Sequence, residues 1–193
     1  QRPLRFRTDA FLQLHFAGAF EADGKIAVDY VRYEDAAVFW ALADGRRLSV
    51  TDTETWIPGG RLHRGWIDPA RQTFTSAPLW DGDCEFPRTS RVVGGRHRHT
   101  WLRSEVVIGG AICSQISRMD LDGTLRHHTL SRGQLCSEPV LAGEGTVMSL
   151  VYDSVASRSH LLLLDSGTLQ VQARVHLSQA IPQTFHGGWL PAR

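Results

Sequence analysis

The feature that most narrows the folds open to this chain is the period of its apolar residues, which is two rather than 3.6. In "KIAVDYVRY" Ile26, Val28 and Tyr30 alternate with Ala27, Asp29 and Val31, and in "LQVQARVHL" Leu169, Val171, Ala173 and Val175 alternate with mostly polar neighbours. Successive side chains of an extended chain point to opposite faces, so both stretches read as strands. Turn clusters lie between such runs: "EADGK", "LDGT", "LDSGT" and "VVGGR" each supply Gly or Asp where a hairpin needs positive φ or a local side-chain cap. The expectation is an antiparallel, all-β chain. One stretch departs from it. "EDAAVFWALADG" gathers Ala36, Ala37, Ala41 and Leu42 around Phe39 and Trp40, which predicts a short helical insertion over Ala36 to Ala43 closed by Gly45. No low-complexity segment or Pro/Gly/Ser linker interrupts the sequence, so 1–193 reads as one domain or as part of a larger one.

A weak internal repeat refines the architecture. An apolar residue, an Asp and then a turn recur at "WIDPARQT", "RMDLDGTL" and "LLDSGTLQ", placing Asp68, Asp120 and Asp165 at intervals of 52 (120 − 68) and 45 (165 − 120) residues. A four-stranded propeller blade with its turns takes about 40 to 50 residues, and the turn between its outer strands suits an Asp signature. Three to four antiparallel blades, some incomplete, fit the length of the chain.

Charge and cysteine usage exclude several classes of function. Twenty-one Lys and Arg against twenty Asp and Glu leave a net charge of +1, too weak a field to draw in nucleic acid. Three cysteines, Cys84, Cys113 and Cys136, form no CxxC pair and no even framework, which points to a reducing compartment and a cytoplasmic location. No transmembrane segment is evident, while peripheral contact with a membrane stays open. The chain begins at Gln1 without Met, and it is expected to be cut from something longer. Neither a P-loop, a dinucleotide fingerprint nor a serine nucleophile elbow is present, since "VVGGR" and "IGGA" lack the spacing and the following helix.

Four stretches, in order, carry a family resemblance: "LHFAGAFEADG", "CEFPRTS", "CSEPVLA" and "TFHGGW". Together they resemble the carotenoid cleavage oxygenase family, which includes the lignostilbene dioxygenases, over about Leu12 to Trp189 and as the C-terminal half of a member only. The resemblance implies part of a seven-bladed β-propeller with ferrous iron, Fe(II), on its axis. The iron would be held by four histidines and used with O2 to split a conjugated C=C bond of a carotenoid, apocarotenoid or stilbene-type olefin into two carbonyls. By the same resemblance His15 and His186 are metal ligands, and Glu85 and Glu138 accept hydrogen bonds from ligand histidines. The other two histidines would come from the half not present, so the isolated chain is expected to be inactive and poorly stable. Two positions depart from the family pattern: Leu14 stands for a Phe, and Gly18 for an Asn, which removes a polar side chain near the site.

The residue types suit that chemistry. Neutral imidazole is a good Fe(II) ligand, and a carboxylate on its second nitrogen fixes the tautomer and raises its basicity. Pro87 and Pro139 restrict the backbone next to each glutamate. Gly187 and Gly188 would let the chain turn away after His186, expected at the inner end of a strand, before Trp189 packs into the wall. Taken singly, His15 between Leu14 and Phe16 also reads as a core histidine. In "RHRH", His97 and His99 are expected on one face of a solvated strand, and adjacent His127 and His128 on opposite faces. The alternative to the dioxygenase is a metal-free partial propeller serving as a binding module, or a degenerate, inactive fragment. Residues that would choose the substrate are not legible, and Trp40, Trp66, Trp80 and Trp101 read equally well as core.

Overall fold

The computed structural model describes residues 3–43, 59–90 and 95–190. In the first sheet β1 (Leu12–Ala22), β2 (Lys25–Tyr33), β3 (Arg61–Asp68) and β4 (Thr73–Pro78) are neighbours in chain order, with α1 (Ala37–Ala43) between β2 and β3. The second sheet repeats this order with β5 (Cys84–Thr89), β6 (His99–Ile108), β7 (Ala111–Asp120) and β8 (Leu125–Thr129). In the third, β9 (Gln134–Cys136) and β10 (Val140–Leu141) share one edge of β11 (Thr146–Asp153), followed by β12 (Arg158–Asp165) and β13 (Val171–His176). All pairings are antiparallel, and none of the three sheets closes on itself among the described residues. The short helix falls where its sequence places it; the expected closure at Gly45 and most of the "VVGGR" turn lie outside the described residues.

The turns follow from local chemistry. Asp23 and Gly24, at φ of 52° and 71°, form a two-residue hairpin between Ala22 and Lys25, as the positive φ of such a turn demands. The spaced aspartates each end the third strand of their sheet: Asp68 ends β3, Asp120 ends β7 and Asp165 ends β12. Asp68 Oδ1 accepts the Arg71 N–H (2.9 Å), and Asp165 Oδ1 accepts those of Gly167 (3.0 Å) and Thr168 (2.7 Å). The Asp120 carboxylate turns instead to Arg118 and Arg126, both at 2.8 Å.

Apolar cores fill the seams between sheets. Leu62, Cys84, Leu102 and Met119 pack between the first and second sheets, while Trp101, Ile116, Cys136, Val151 and Leu162 pack between the second and third. In β2 the more deeply buried phase is not Ile26 and Val28 but Ala27, Asp29 and Val31. The strand assignment in "LQVQARVHL" holds from Val171 onward, yet β13 is exposed along its whole length.

Asp29 is buried because it is paired. Arg64 grips it with two bonds of 2.7 Å, and His97 Nε2 lies 2.9 Å from Oδ2, the oxygen that also accepts from Arg64 Nη2. Burial pushes this carboxyl up, but the bonds from Arg64 and His97 outweigh burial and hold it below the ordinary range. An isolated carboxylate in that seam would cost several kcal/mol. His97 therefore corrects the expectation of a solvated strand: it precedes β6, is only 4% exposed, and joins the second sheet to the first. Gly18 makes this possible. A Cβ there would stand 3.2 Å from His97 Nδ1, so the glycine admits the imidazole.

Candidate metal centre

Each sheet carries an irregularity in its first strand, and the candidate residues sit at these irregularities. In β1, Gln13 faces Arg32 and Phe16 faces Tyr30, so three steps on β1 match two on β2 and His15 lies in the resulting bulge. In β5, Glu85 faces Arg103 and Arg88 faces Trp101, again three steps against two. Phe86 absorbs the extra residue with φ of 53°, a conformation that a bulky side chain adopts only under tertiary constraint. In the third sheet Cys136 faces Val151 and Val140 faces Met148, four steps against three, and Glu138 occupies the gap between β9 and β10.

The bulges bring four side chains together. His15 Nδ1 lies 2.6 Å from Glu85 Oε2, and His186 Nδ1 lies 3.4 Å from Glu138 Oε1. The two Nε2 atoms stand 3.3 Å apart although 171 residues separate them in sequence. Thus all four predicted site residues meet in one place. His186 is not at a strand end, however; it lies in an irregular extended segment after β13.

The carboxylates determine what the imidazoles can do. An ionised carboxylate only accepts, so each Nδ1 donates its proton and each Nε2 presents a lone pair. Two lone pairs face each other at 3.3 Å, an arrangement that is favourable only with a proton or another cation between them. The bond to Glu85 is the main reason that the pKa of His15 is raised, against the opposing effect of burial. A separation of 3.3 Å is within the span of two metal–imidazole bonds of about 2 Å to one ion. These donors therefore fit a divalent transition metal, although no group of three or more His, Cys, Asp or Glu placed for one ion occurs among the described residues.

Neighbours that the sequence did not single out hold the carboxylates. The Tyr33 hydroxyl donates to Glu85 Oε1, and the Phe86 N–H donates to Glu85 Oε2 at 2.7 Å. The Phe86 ring lies between the halves, its centroid 5.1 Å from that of His15 and 5.9 Å from that of His186. Glu138 Oε2 accepts the Gly187 N–H at 2.8 Å. Neither glycine after His186 is at positive φ; Gly187 is required for close approach, since a Cβ would come within 3.3 Å of Val140 Cγ2. Trp189 remains 46% exposed rather than packed into a wall. Beside His15 a cavity opens, with Leu14, Val38, Phe86 and Phe185 on its apolar side and Asp83 and Glu105 on its polar side. The motif "CEFPRT" already contained Phe86, but Tyr33 had no local signal, because its partner is 52 residues away.

Two further histidines are held by partners of their own. His99 pairs with Asp120 at 2.9 Å, and His127 Nδ1 with Ser117 Oγ at 2.7 Å. All three cysteines are buried and unpaired; burial raises the thiol of Cys84 well above its ordinary value and that of Cys136 to about 11. Both stay as neutral thiols, unsuited to nucleophilic attack or metal ligation.

Comparison with known proteins places the chain in a family. The crystal structure of cobalt-substituted Synechocystis ACO superimposes with a TM-score of 0.78 at 26% identity, over 96% of this chain and 40% of that one. The all-β framework is therefore shared with that structure. A family model for the retinal pigment epithelial membrane protein matches residues 1–191, and the chain belongs to that family, in agreement with the carotenoid cleavage oxygenase resemblance of its motifs. The apocarotenoid-15,15'-oxygenase of Synechocystis is 27% identical over 96% of this chain and 40% of its own length. A carotenoid cleavage oxygenase of Mycobacterium tuberculosis is 31% identical over 69% of this chain and 30% of its own length. The chain thus spans about 40% of the first of these relatives and less of the second.

Proposed function

We propose that this chain supplies part of the active site of an Fe(II)-dependent dioxygenase that cleaves a conjugated C=C bond of a carotenoid, apocarotenoid or stilbene-type olefin. The single observation that carries this reading is the pair of Nε2 atoms 3.3 Å apart, each imidazole backed by its own glutamate. His15 and His186 would hold the metal. Bound ferrous iron would supply the activation of O2 that inserts one oxygen atom at each carbon of the broken double bond. Glu85 and Glu138 keep the protons on Nδ1 and so keep each Nε2 available as a donor. Phe86 and Phe185, on the apolar side of the adjoining cavity, offer the surface that a hydrophobic olefin needs. The carotenoid-cleaving relatives support the substrate class, and the cobalt-substituted form of one of them is in keeping with a metal site.

In this reading the three sheets are blades of a seven-bladed propeller, and residues outside this chain add the remaining blades and two further histidine ligands. Reduced, buried cysteines favour a cytoplasmic location. No helix among the described residues is long and apolar enough to cross a membrane.

The test is substitution in the full-length protein. His15→Ala and His186→Ala are each expected to remove bound iron and olefin cleavage together, by at least about 100-fold in activity, because loss of one neutral ligand weakens affinity and alters the geometry offered to O2. Retention of iron and turnover in both variants would show that His15 and His186 are not the ligands, whereas a full-length protein that neither binds iron nor cleaves the olefin would be the metal-free binding module.

A further inference from the structure

Arg88 lies three residues beyond Glu85 on β5 and reaches in the opposite direction. Glu85 faces His15 on the first sheet; Arg88 faces the third sheet and the segment that carries His186. Its Nε stands 2.9 Å from Glu138 Oε1, an ion-pair contact in which the N–H is not aligned for a hydrogen bond, and its Nη2 donates to the Gly187 carbonyl oxygen at 2.9 Å. The Gly187 N–H in turn donates to Glu138 Oε2 at 2.8 Å. Guanidinium, carboxylate and the Gly187 backbone therefore close a ring of contacts next to His186, in a segment with no strand pairing of its own. The same Glu138 Oε1 faces His186 Nδ1 at 3.4 Å, so this oxygen is shared between a cation and an imidazole. A guanidinium spreads its charge over three nitrogens, so it can hold charge against Glu138 while another nitrogen donates to Gly187, which the single ammonium of a lysine does less well.

We propose that Arg88 is a positioning residue of the candidate metal centre. It fixes the His186 segment through Gly187 and sets how strongly Glu138 accepts from His186. One strand, β5, then governs both imidazoles, His15 through Glu85 and His186 through Arg88. This inference rests on the metal-site reading given above.

The experiment is carried out on the full-length protein, with Co2+ as the probe metal. Affinity is measured by competition with a chelator, and the coordination is read from the visible absorption of the Co2+ form. Arg88→Met acts one contact further from the metal than Glu138; it is expected to weaken Co2+ binding by up to about tenfold and to shift the Co2+ bands. Arg88→Lys keeps the charge but holds the two contacts less well, and is expected to lose several-fold less affinity than Arg88→Met while still shifting the bands. A purely structural role would lower the unfolding temperature of both variants and leave affinity and spectrum unchanged. That result, or an Arg88→Lys protein identical to wild type in both readouts should Arg88→Met fail to fold, overturns the proposal. His186→Ala is run in parallel. If it binds Co2+ as tightly as wild type, the metal-site reading fails and this inference with it; if it loses Co2+ while Arg88→Met does not, only the role of Arg88 fails.

Discussion

The two halves of the candidate centre contain the same chemistry and are built differently. His15 sits on β1 and Glu85 on β5, their side chains are 24% and 13% exposed, and the bond between them is 2.6 Å. His186 comes from a segment without strand pairing, is 59% exposed, and approaches a carboxylate that is only 5% exposed at 3.4 Å. In the first half each partner sits on a strand paired within its own sheet, so little freedom is left to lose. In the second the glutamate is fixed and the imidazole is brought to it by backbone contacts at Gly187. A ligand held on sheet is preorganised, whereas one held by a returning segment depends on every contact of that segment.

The largest effect that separates the halves is expected behind His15, where Asp29, Arg64 and His97 close the seam between the first two sheets. Asp29→Asn would leave Arg64 with its charge unmatched and should destabilise the protein by about 3 kcal/mol, measured by urea unfolding. The sign of the pH effect follows from the depressed carboxyl. A group with a folded pKa below its unfolded value stabilises above the unfolded value, 3.8 here, and loses that contribution as the pH falls through the folded value. The gap between wild type and Asp29→Asn should accordingly be constant near neutral pH and narrow in acid below 3.8. A gap independent of pH would remove the ionised seam from the account.

A smaller effect compares the carboxylates directly. Glu85 accepts from His15, Tyr33 and the Phe86 N–H, so Glu85→Gln should weaken metal binding by about tenfold or more. Glu138→Gln acts through the longer contact and should cost under about tenfold in the same competition assay. Equal losses would mean that the difference in geometry has no energetic counterpart.

The smallest concerns adjacent glycines. Gly187→Ala places a methyl group against Val140 and should destabilise by about 1 kcal/mol with a slight fall in metal affinity. Gly188→Ala meets nothing within 4 Å and should stay within about 0.5 kcal/mol of wild type by thermal unfolding. Similar behaviour of the two would show that the backbone at Gly187 is not held as tightly as its contacts imply.

Much of this protein was legible in its sequence because the responsible physics is local. Alternation of side chains sets strands, Asp23 and Gly24 set a hairpin, and the spaced Asp68, Asp120 and Asp165 mark the ends of third strands, since each depends on residues a few positions away. The motifs likewise named His15, Glu85, Glu138 and His186. Only the tertiary structure decided that β2 buries Asp29 rather than Ile26, that His97 is a buried partner rather than a solvated histidine, and that β13 stays exposed. It also decided the bulges that aim His15, Glu85 and Glu138, and the reach of Tyr33 and Arg88 to glutamates 52 and 50 (138 − 88) residues away. Burial of a charge and displacement of a strand's register both depend on what lies across the seam. That partner is chosen by the packing of whole sheets, so no short window of sequence contains it.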